Sequence, residues 1–167
     1  MDLRAIIVAG LPGSGKTYLA RRVAIALHFP YLGTDQLRKH LFPEPSYSNR
    51  EKEMVYDQLR QSMASFLKKG ISLVMDGTFY HREWRDAVIA EAEGLGAQVF
   101  IIKVWASEEV ISDRLSHPRP DSDADISVHE KIKKQSDTWD RPSLMLQSGI
   151  KPIEEMVDDA LAYVQVL

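Results

Sequence analysis

The chain has 167 residues, 44% of them hydrophobic and 27% charged, with 24 acidic against 21 basic side chains and no cysteine. That length suits one domain with a real core, and the net charge of −3 predicts no general affinity for nucleic acid or for a membrane surface. Without cysteine there is no disulfide or thiolate metal site; no apolar run is long enough to span a bilayer, and with no leader pattern ahead of the first strand the expected location is cytoplasmic.

Leu3 to Ala9 is an apolar run broken only by Arg4, which predicts a buried strand. The residues that follow, Gly10-Leu11-Pro12-Gly13-Ser14-Gly15-Lys16-Thr17, have the form G-x-x-x-x-G-K-[ST] of a phosphate-binding loop. The glycines let the backbone turn tightly and approach a phosphate. Successive N–H groups then point into one anion-sized concavity. Lys16 is placed to reach the β- and γ-phosphates, and the Thr17 hydroxyl to sit on Mg²⁺. Leu19, Val23, Ala26 and Leu27 recur at helical spacing. A helix of about Lys16–Leu27 therefore turns its positive N-terminal end toward the same anion.

A short second strand is expected at Tyr31–Gly33, then a short helix from Asp35 to Leu41, broken by Phe42-Pro43-Glu44-Pro45. Asn49 is expected to cap a long helix reaching about Lys69 and closed by Gly70. Ile71–Met75 reads as a third strand with Asp76 at its end, His81–Glu93 as a helix, and Ala97–Trp105 as a fourth strand. Ser107 caps the next helix, which ends before Pro118. A polar stretch from His117 to Asp125 leads into a helix reaching about Trp139, and Ser143–Gln147 is a weak fifth strand. Ile153, Met156, Val157, Ala160, Leu161 and Val164 give an amphipathic C-terminal helix. Alternation of this kind predicts a parallel sheet covered on both faces. Right-handed crossovers put the phosphate loop and the other strand-end residues along one carboxyl edge.

Asp35 follows the second strand, and Arg38 lies one helical turn further on the same face. A carboxylate there accepts the proton of an attacking hydroxyl, and the arginine holds a phosphate or orients the carboxylate. The alternative is a capping aspartate with an incidental arginine. Asp76 is where a phosphate-loop protein supplies a carboxylate to the Mg²⁺ shell, through water; the alternative is an ordinary turn with Gly77. Arg114, Arg119 and His117 flank the polar stretch. Cations there stabilise a phosphoryl group in transfer, and a moving segment excludes water. Arg114 is favoured for that role. His81, Arg82 and Arg85 read equally as acceptor lining or surface charge, Lys131, Lys133 and Lys134 as a solvated face, and Trp84, Trp105 and Trp139 as core or lid packing.

The phosphate loop, Thr34-Asp35-Gln36-Leu37-Arg38, Asp76-Gly77-Thr78-Phe79, Arg114 and Ser122-Asp123-Ala124-Asp125 together resemble the small P-loop kinases of the AAA type. That group is related to the kinase domain of polynucleotide 5′-hydroxyl kinases and, more distantly, to gluconate kinases and zeta toxins. The resemblance spans about residues 3 to 165. It implies a three-layer α/β P-loop NTPase fold over 1–167, with a five-stranded parallel sheet in the order 2-3-1-4-5 and a helical lid at about 114–139. It implies ATP and Mg²⁺, with phosphate passing to a hydroxyl on a polynucleotide end or a small molecule. By that resemblance Asp35 is the general base, Arg38 the acceptor-site arginine and Arg114 the lid arginine, with Arg119 beside the nucleotide. The acidic charge does not indicate a nucleic-acid partner, and no obligate protein partner is evident. Two rivals stay open: a nucleotide-dependent switch or ATPase, and a toxin-like kinase with a protein partner. The absence of an Asn-Lys-x-Asp guanine motif speaks against a GTPase switch.

Overall fold

The computed structural model describes residues 2–119 and 124–165. Ser122 and Asp123 of the expected lid segment lie outside the described residues. Twelve elements alternate along the chain: β1 (Arg4–Ala9), α1 (Lys16–Leu27), β2 (Tyr31–Gly33), α2 (Thr34–Leu41), α3 (Asn49–Lys68), β3 (Leu73–Gly77), α4 (Arg82–Gly94), β4 (Gln98–Trp105), α5 (Glu108–Leu115), α6 (Ile126–Gln135), β5 (Leu144–Gln147) and α7 (Ile153–Gln165). The strands form one sheet in the order β2-β3-β1-β4-β5, every pair parallel. This is the α/β architecture and strand order that the resemblance implies.

Side-chain alternation along β1 builds both layers. Ala5, Ile7 and Ala9 face a core shared with Leu59 and Met63 of α3 and Val88 and Ile89 of α4. Ile6 and Val8 face the opposite core, with Leu19 and Val23 of α1 and Met156 and Ala160 of α7. Helix–sheet packing on both faces leaves only the strand ends open to a ligand, and β1 delivers the phosphate loop there. Among the described residues no helix is long and apolar enough to cross a membrane.

Several element ends differ from the sequence reading, among them those of α3, β3 and α6. Ser48, not Asn49, caps α3: its hydroxyl accepts from the Glu51 N–H at 3.2 Å, and Asn49 is the first helical residue. β3 starts two residues later than expected and carries Asp76 within the strand, paired in register with Val8. α6 stops at Gln135, short of Trp139. Tertiary hydrogen bonds take over at that point. The Asp137 N–H donates to the Tyr80 carbonyl at 2.9 Å, and the Arg85 guanidinium donates to the carbonyls of Asp137 and Thr138.

Candidate active site

The phosphate loop is held from behind by its carbonyls. Ser148 Oγ donates to the Ser14 carbonyl at 2.5 Å, and Arg114 Nη1 donates to the Gly13 carbonyl at 2.9 Å and to Ser148 Oγ at 2.8 Å. Nδ1 of the buried His129, on α6, donates to the Pro12 carbonyl at 2.8 Å. In a planar trans peptide the N–H points opposite to the C=O. Tying the Pro12 and Ser14 carbonyls back therefore turns the Gly13 and Gly15 N–H groups the other way, away from these partners. The loop closes with the Ser14 N–H on the Leu11 carbonyl at 3.1 Å. Gly13 and Gly15 take φ of 82° and 90°, the left-handed region that suits glycine. At Gly10 a Cβ would lie 2.4 Å from Ser14 Oγ and 2.5 Å from the Val104 carbonyl, so no side chain fits.

Asp76 is 3% exposed. The Tyr31 hydroxyl donates to its Oδ2 at 2.6 Å. That reach depends on Gly33, the register partner of Asp76 on β2. A Cβ at Gly33 would stand 2.3 Å from the Tyr31 hydroxyl, so the phenol lies across the glycine to meet the carboxylate. Burial raises the Asp76 pKa, opposed by the Lys16 charge and by hydrogen bonding from Tyr31 and Thr17, while the Asp35 charge adds to the rise. Lys16, Thr17, Asp35 and Asp76 therefore share one electrostatic neighbourhood.

The donor set available to Mg²⁺ is small: the Thr17 hydroxyl and the Asp76 carboxylate. Among the described residues no group of three His, Cys, Asp or Glu side chains forms a metal cage. Mg²⁺ characteristically takes one or two protein ligands and completes its octahedron with water and phosphate oxygens. Thr17 and Asp76 beside a phosphate loop fit that habit.

Asp35 occupies the first turn of α2. Its Oδ1 accepts from Arg38 Nη1 at 3.0 Å. Arg38 Nε lies 3.4 Å from Oε1 of Glu51, so the guanidinium is fixed between two carboxylates. Glu51 is buried and accepts hydrogen bonds from Ser46 N–H at 2.7 Å, Ser46 Oγ at 2.9 Å and Tyr47 N–H at 3.2 Å. Burial disfavours its charge, but these hydrogen bonds and Arg38 outweigh burial and hold its pKa below the usual 4.5. A depressed folded pKa contributes stability that is present above the unfolded value and lost as pH falls through the folded one. Urea unfolding followed from about pH 6 to pH 3 is therefore expected to show a steeper acid loss for the wild type than for Glu51→Gln. Parallel curves would contradict the assignment.

Beside Asp35 lies a cavity of about 190 Å³. Pro12 and Lys16 line it from the phosphate loop, Thr34, Asp35 and Arg38 from α2, and Lys52 and Tyr56 from α3. Val128, Lys131 and Ile132 of α6 line it as well. Thr78 and Tyr80 both line it across Phe79, which has φ of 47° and whose N–H donates to the Tyr56 hydroxyl at 2.8 Å. A buried non-glycine residue in that region is held by its surroundings, a kind of strain that clusters at functional sites.

The structure thus brings Gly10 to Thr17, Asp35, Arg38 and Asp76 to one edge. Arg114 sits against the loop carbonyls, and Arg119 Nη2 donates to the Ala124 carbonyl at 3.2 Å. Burial first, then the Arg119 charge, pushes the Arg114 pKa down from its ordinary value. Two guanidinium groups near one another beside a phosphate loop favour an anion between them. Other residues depart in part from the sequence reading. Lys131 is exposed, as a solvated face requires, and also lines the cavity. Arg82 is the surface charge considered for it, exposed and paired with Asp140, whereas Arg85 is buried and donates to the carbonyls of Asp137 and Thr138. Trp84 stacks on Tyr56 with ring centres 5.2 Å apart, and Trp139 packs on Arg85, but Trp105 is 45% exposed. The sequence reading missed Tyr31, Glu51, Lys52, Tyr80, His129 and Ser148, since each acquires its role from a distant segment.

A parallel sheet of this order with a glycine-rich loop between its first strand and first helix defines the P-loop NTPase class. Within it, the chain belongs to the family AAA_33, described as an AAA domain, whose model matches residues 6–142. It is 26% identical over 151 residues to the uncharacterized protein Rv2004c of Mycobacterium tuberculosis, a match covering 83% of this chain and 30% of that protein. The chain thus spans under a third of the length of the first curated relatives it matches. Among solved structures, the APS kinase CysC of Mycobacterium tuberculosis in complex with AMPPNP and APS superposes with a TM-score of 0.76 at 17% identity, covering 98% of each chain. A gluconokinase from Sinorhizobium meliloti superposes with a TM-score of 0.72 at 19% identity, covering 98% of this chain and 91% of its own. At these identities the likeness is one of fold.

Proposed function

We propose that the protein is a Mg²⁺- and ATP-dependent kinase that transfers the γ-phosphoryl group to a hydroxyl acceptor. The observation that carries this reading is Asp35, paired with Arg38, in the same cavity wall as Lys16 of the phosphate loop. A nucleotide switch or simple ATPase has no need of an arginine-oriented carboxylate facing a cavity beside the phosphates. A gluconokinase and an APS kinase in complex with AMPPNP and APS share the fold, which supports a nucleotide-dependent kinase.

In this reading the loop N–H groups and Lys16 hold the β- and γ-phosphates. Thr17 and Asp76 hold Mg²⁺, which would neutralise charge on the phosphate oxygens when bound. Asp35 takes the proton of the acceptor hydroxyl. The acceptor oxygen bonds to the γ-phosphorus as the bond from that phosphorus to the β–γ bridging oxygen breaks, and ADP leaves. Arg38 keeps Asp35 aimed. Arg114 and Arg119 stabilise the negative charge spread over the transferring group. The α6 segment with its His129 contact to Pro12 acts as the lid of a single kinase domain over 1–167, working in the cytoplasm.

The test is incubation with γ-labelled ATP and Mg²⁺, adding in turn a 5′-hydroxyl oligonucleotide and a panel of small hydroxyl compounds. Label on an acceptor is the expected result. Label released only as free phosphate, at a rate no acceptor changes, would favour the ATPase reading.

A further inference from the structure

One buried cation in the acceptor cavity has no part in the chemistry above. Lys52 on α3 is 9% exposed and lines the cavity. Its Nζ donates to the Tyr80 hydroxyl at 3.2 Å and lies over the Tyr80 ring at 5.5 Å. Among the described residues it makes no ion pair within 4.0 Å. Glu51, the neighbouring carboxylate whose charge favours the lysine's, is committed to Arg38 and to the Ser46 and Tyr47 donors. Arg38, which also faces Lys52, is a second cation. A buried ammonium normally has a partner.

The polar groups around it are unequal in kind. Accepting a hydrogen bond from Lys52 leaves the Tyr80 hydroxyl proton available to another acceptor. Lys131 adds a third cation from α6, and among the described residues Asp35 is the single carboxylate lining the cavity. The cavity therefore offers one acceptor carboxylate for a hydroxyl and several donors for an anion. At about 190 Å³ it is somewhat larger than a cavity that admits benzene, about 150 Å³. That is room for a compact molecule.

We propose that Lys52 and the Tyr80 hydroxyl form an anion subsite, and that the phosphoryl acceptor is a small hydroxyl compound bearing a carboxylate or phosphate group. This rests on the kinase reading for the word acceptor, but the subsite itself does not. Burial depresses the Lys52 pKa, with Arg38 adding to the effect and Glu51 opposing it, and a bound anion would oppose it further.

The test has a binding arm and a transfer arm. Calorimetric titrations compare hydroxy acids of four to six carbons with their primary amides, and hydroxyl-bearing phosphate monoesters with their dephosphorylated forms. The protein is wild type, Lys52→Met or Lys52→Arg, each first checked for cooperative unfolding. The same compounds and a 5′-hydroxyl oligonucleotide are then offered with γ-labelled ATP. The wild type is expected to bind one anionic set about 10-fold or more tighter than its neutral counterparts, the size of a charged hydrogen bond. Which set shows the preference tells carboxylate from phosphate. Lys52→Met is expected to lose the preference and Lys52→Arg to keep most of it, with ATP affinity unchanged in both. Equal binding of anionic and neutral partners, or a preference that survives Lys52→Met, overturns the subsite. Anion preference without transfer to any compound keeps the subsite and sinks the kinase reading. Transfer only to neutral compounds or to the oligonucleotide does the reverse.

Discussion

Lys16→Ala is expected to lower ATP affinity by about 10- to 150-fold, the worth of a charged hydrogen bond to phosphate. A further loss of about 10²- to 10³-fold in turnover is expected, because the same ammonium meets charge that develops during transfer. Both losses follow from its position. Lys16 opens α1 directly after the left-handed Gly15 and lines the cavity that also holds Asp35. Its charge also acts on the buried Asp76, so its removal disturbs the residue expected to face Mg²⁺. The fold should tolerate the change, since the loop is braced through its carbonyls by Arg114, Ser148 and His129 and not through Lys16. Nucleotide titration and steady-state turnover measure the two effects separately. A variant with wild-type affinity and turnover would remove the phosphate loop from the function.

Asp35→Asn is expected to separate binding from chemistry. Turnover should fall by about 10²- to 10⁴-fold, the usual worth of a general base, while ATP affinity stays close to the wild type. The variant is a clean one. Asparagine retains an oxygen for the Arg38 hydrogen bond, and Arg38 keeps Glu51 as its second partner, so the acceptor wall should stay in place. With 37% of the Asp35 side chain exposed, the stability cost should be small. Arg38→Ala would be a poorer probe. It would leave the buried Glu51 without its cation, so a loss of activity would mix folding with mechanism. Full turnover by Asp35→Asn would assign the proton to another group.

The element order and the phosphate loop were legible because both are written locally, in alternating apolar runs and helical periods. The strand order was not written there and came only with the resemblance to the small P-loop kinases. Asp35 and Arg38 were legible for the same reason, one helical turn apart in a short helix. The second half of the site was not. Tyr31 reads as an ordinary strand residue until β2 pairs with β3 and Gly33 clears its path to Asp76. Glu51 and Lys52 read as the polar first turn of a long helix. They are buried because the Ser46 and Tyr47 N–H groups fold back onto Glu51, and because Tyr80 returns from the far end of β3. Ser148 and His129 reach the loop from 134 and 117 residues away. No local pattern encodes such contacts. Even α6 was overextended in the sequence reading, since nothing near Ser136 announces that Arg85 will take the next carbonyls.

The most direct test counts ADP and phosphorylated acceptor in the same reaction, for the wild type and for Asp35→Asn, at saturating ATP and Mg²⁺ with the best acceptor of the panel. If the protein is a kinase with Asp35 as its base, the wild type gives one phosphorylated acceptor per ADP, and the variant gives neither while still binding ATP. ADP accompanied by free phosphate alone, at equal rates in both proteins, would contradict that account.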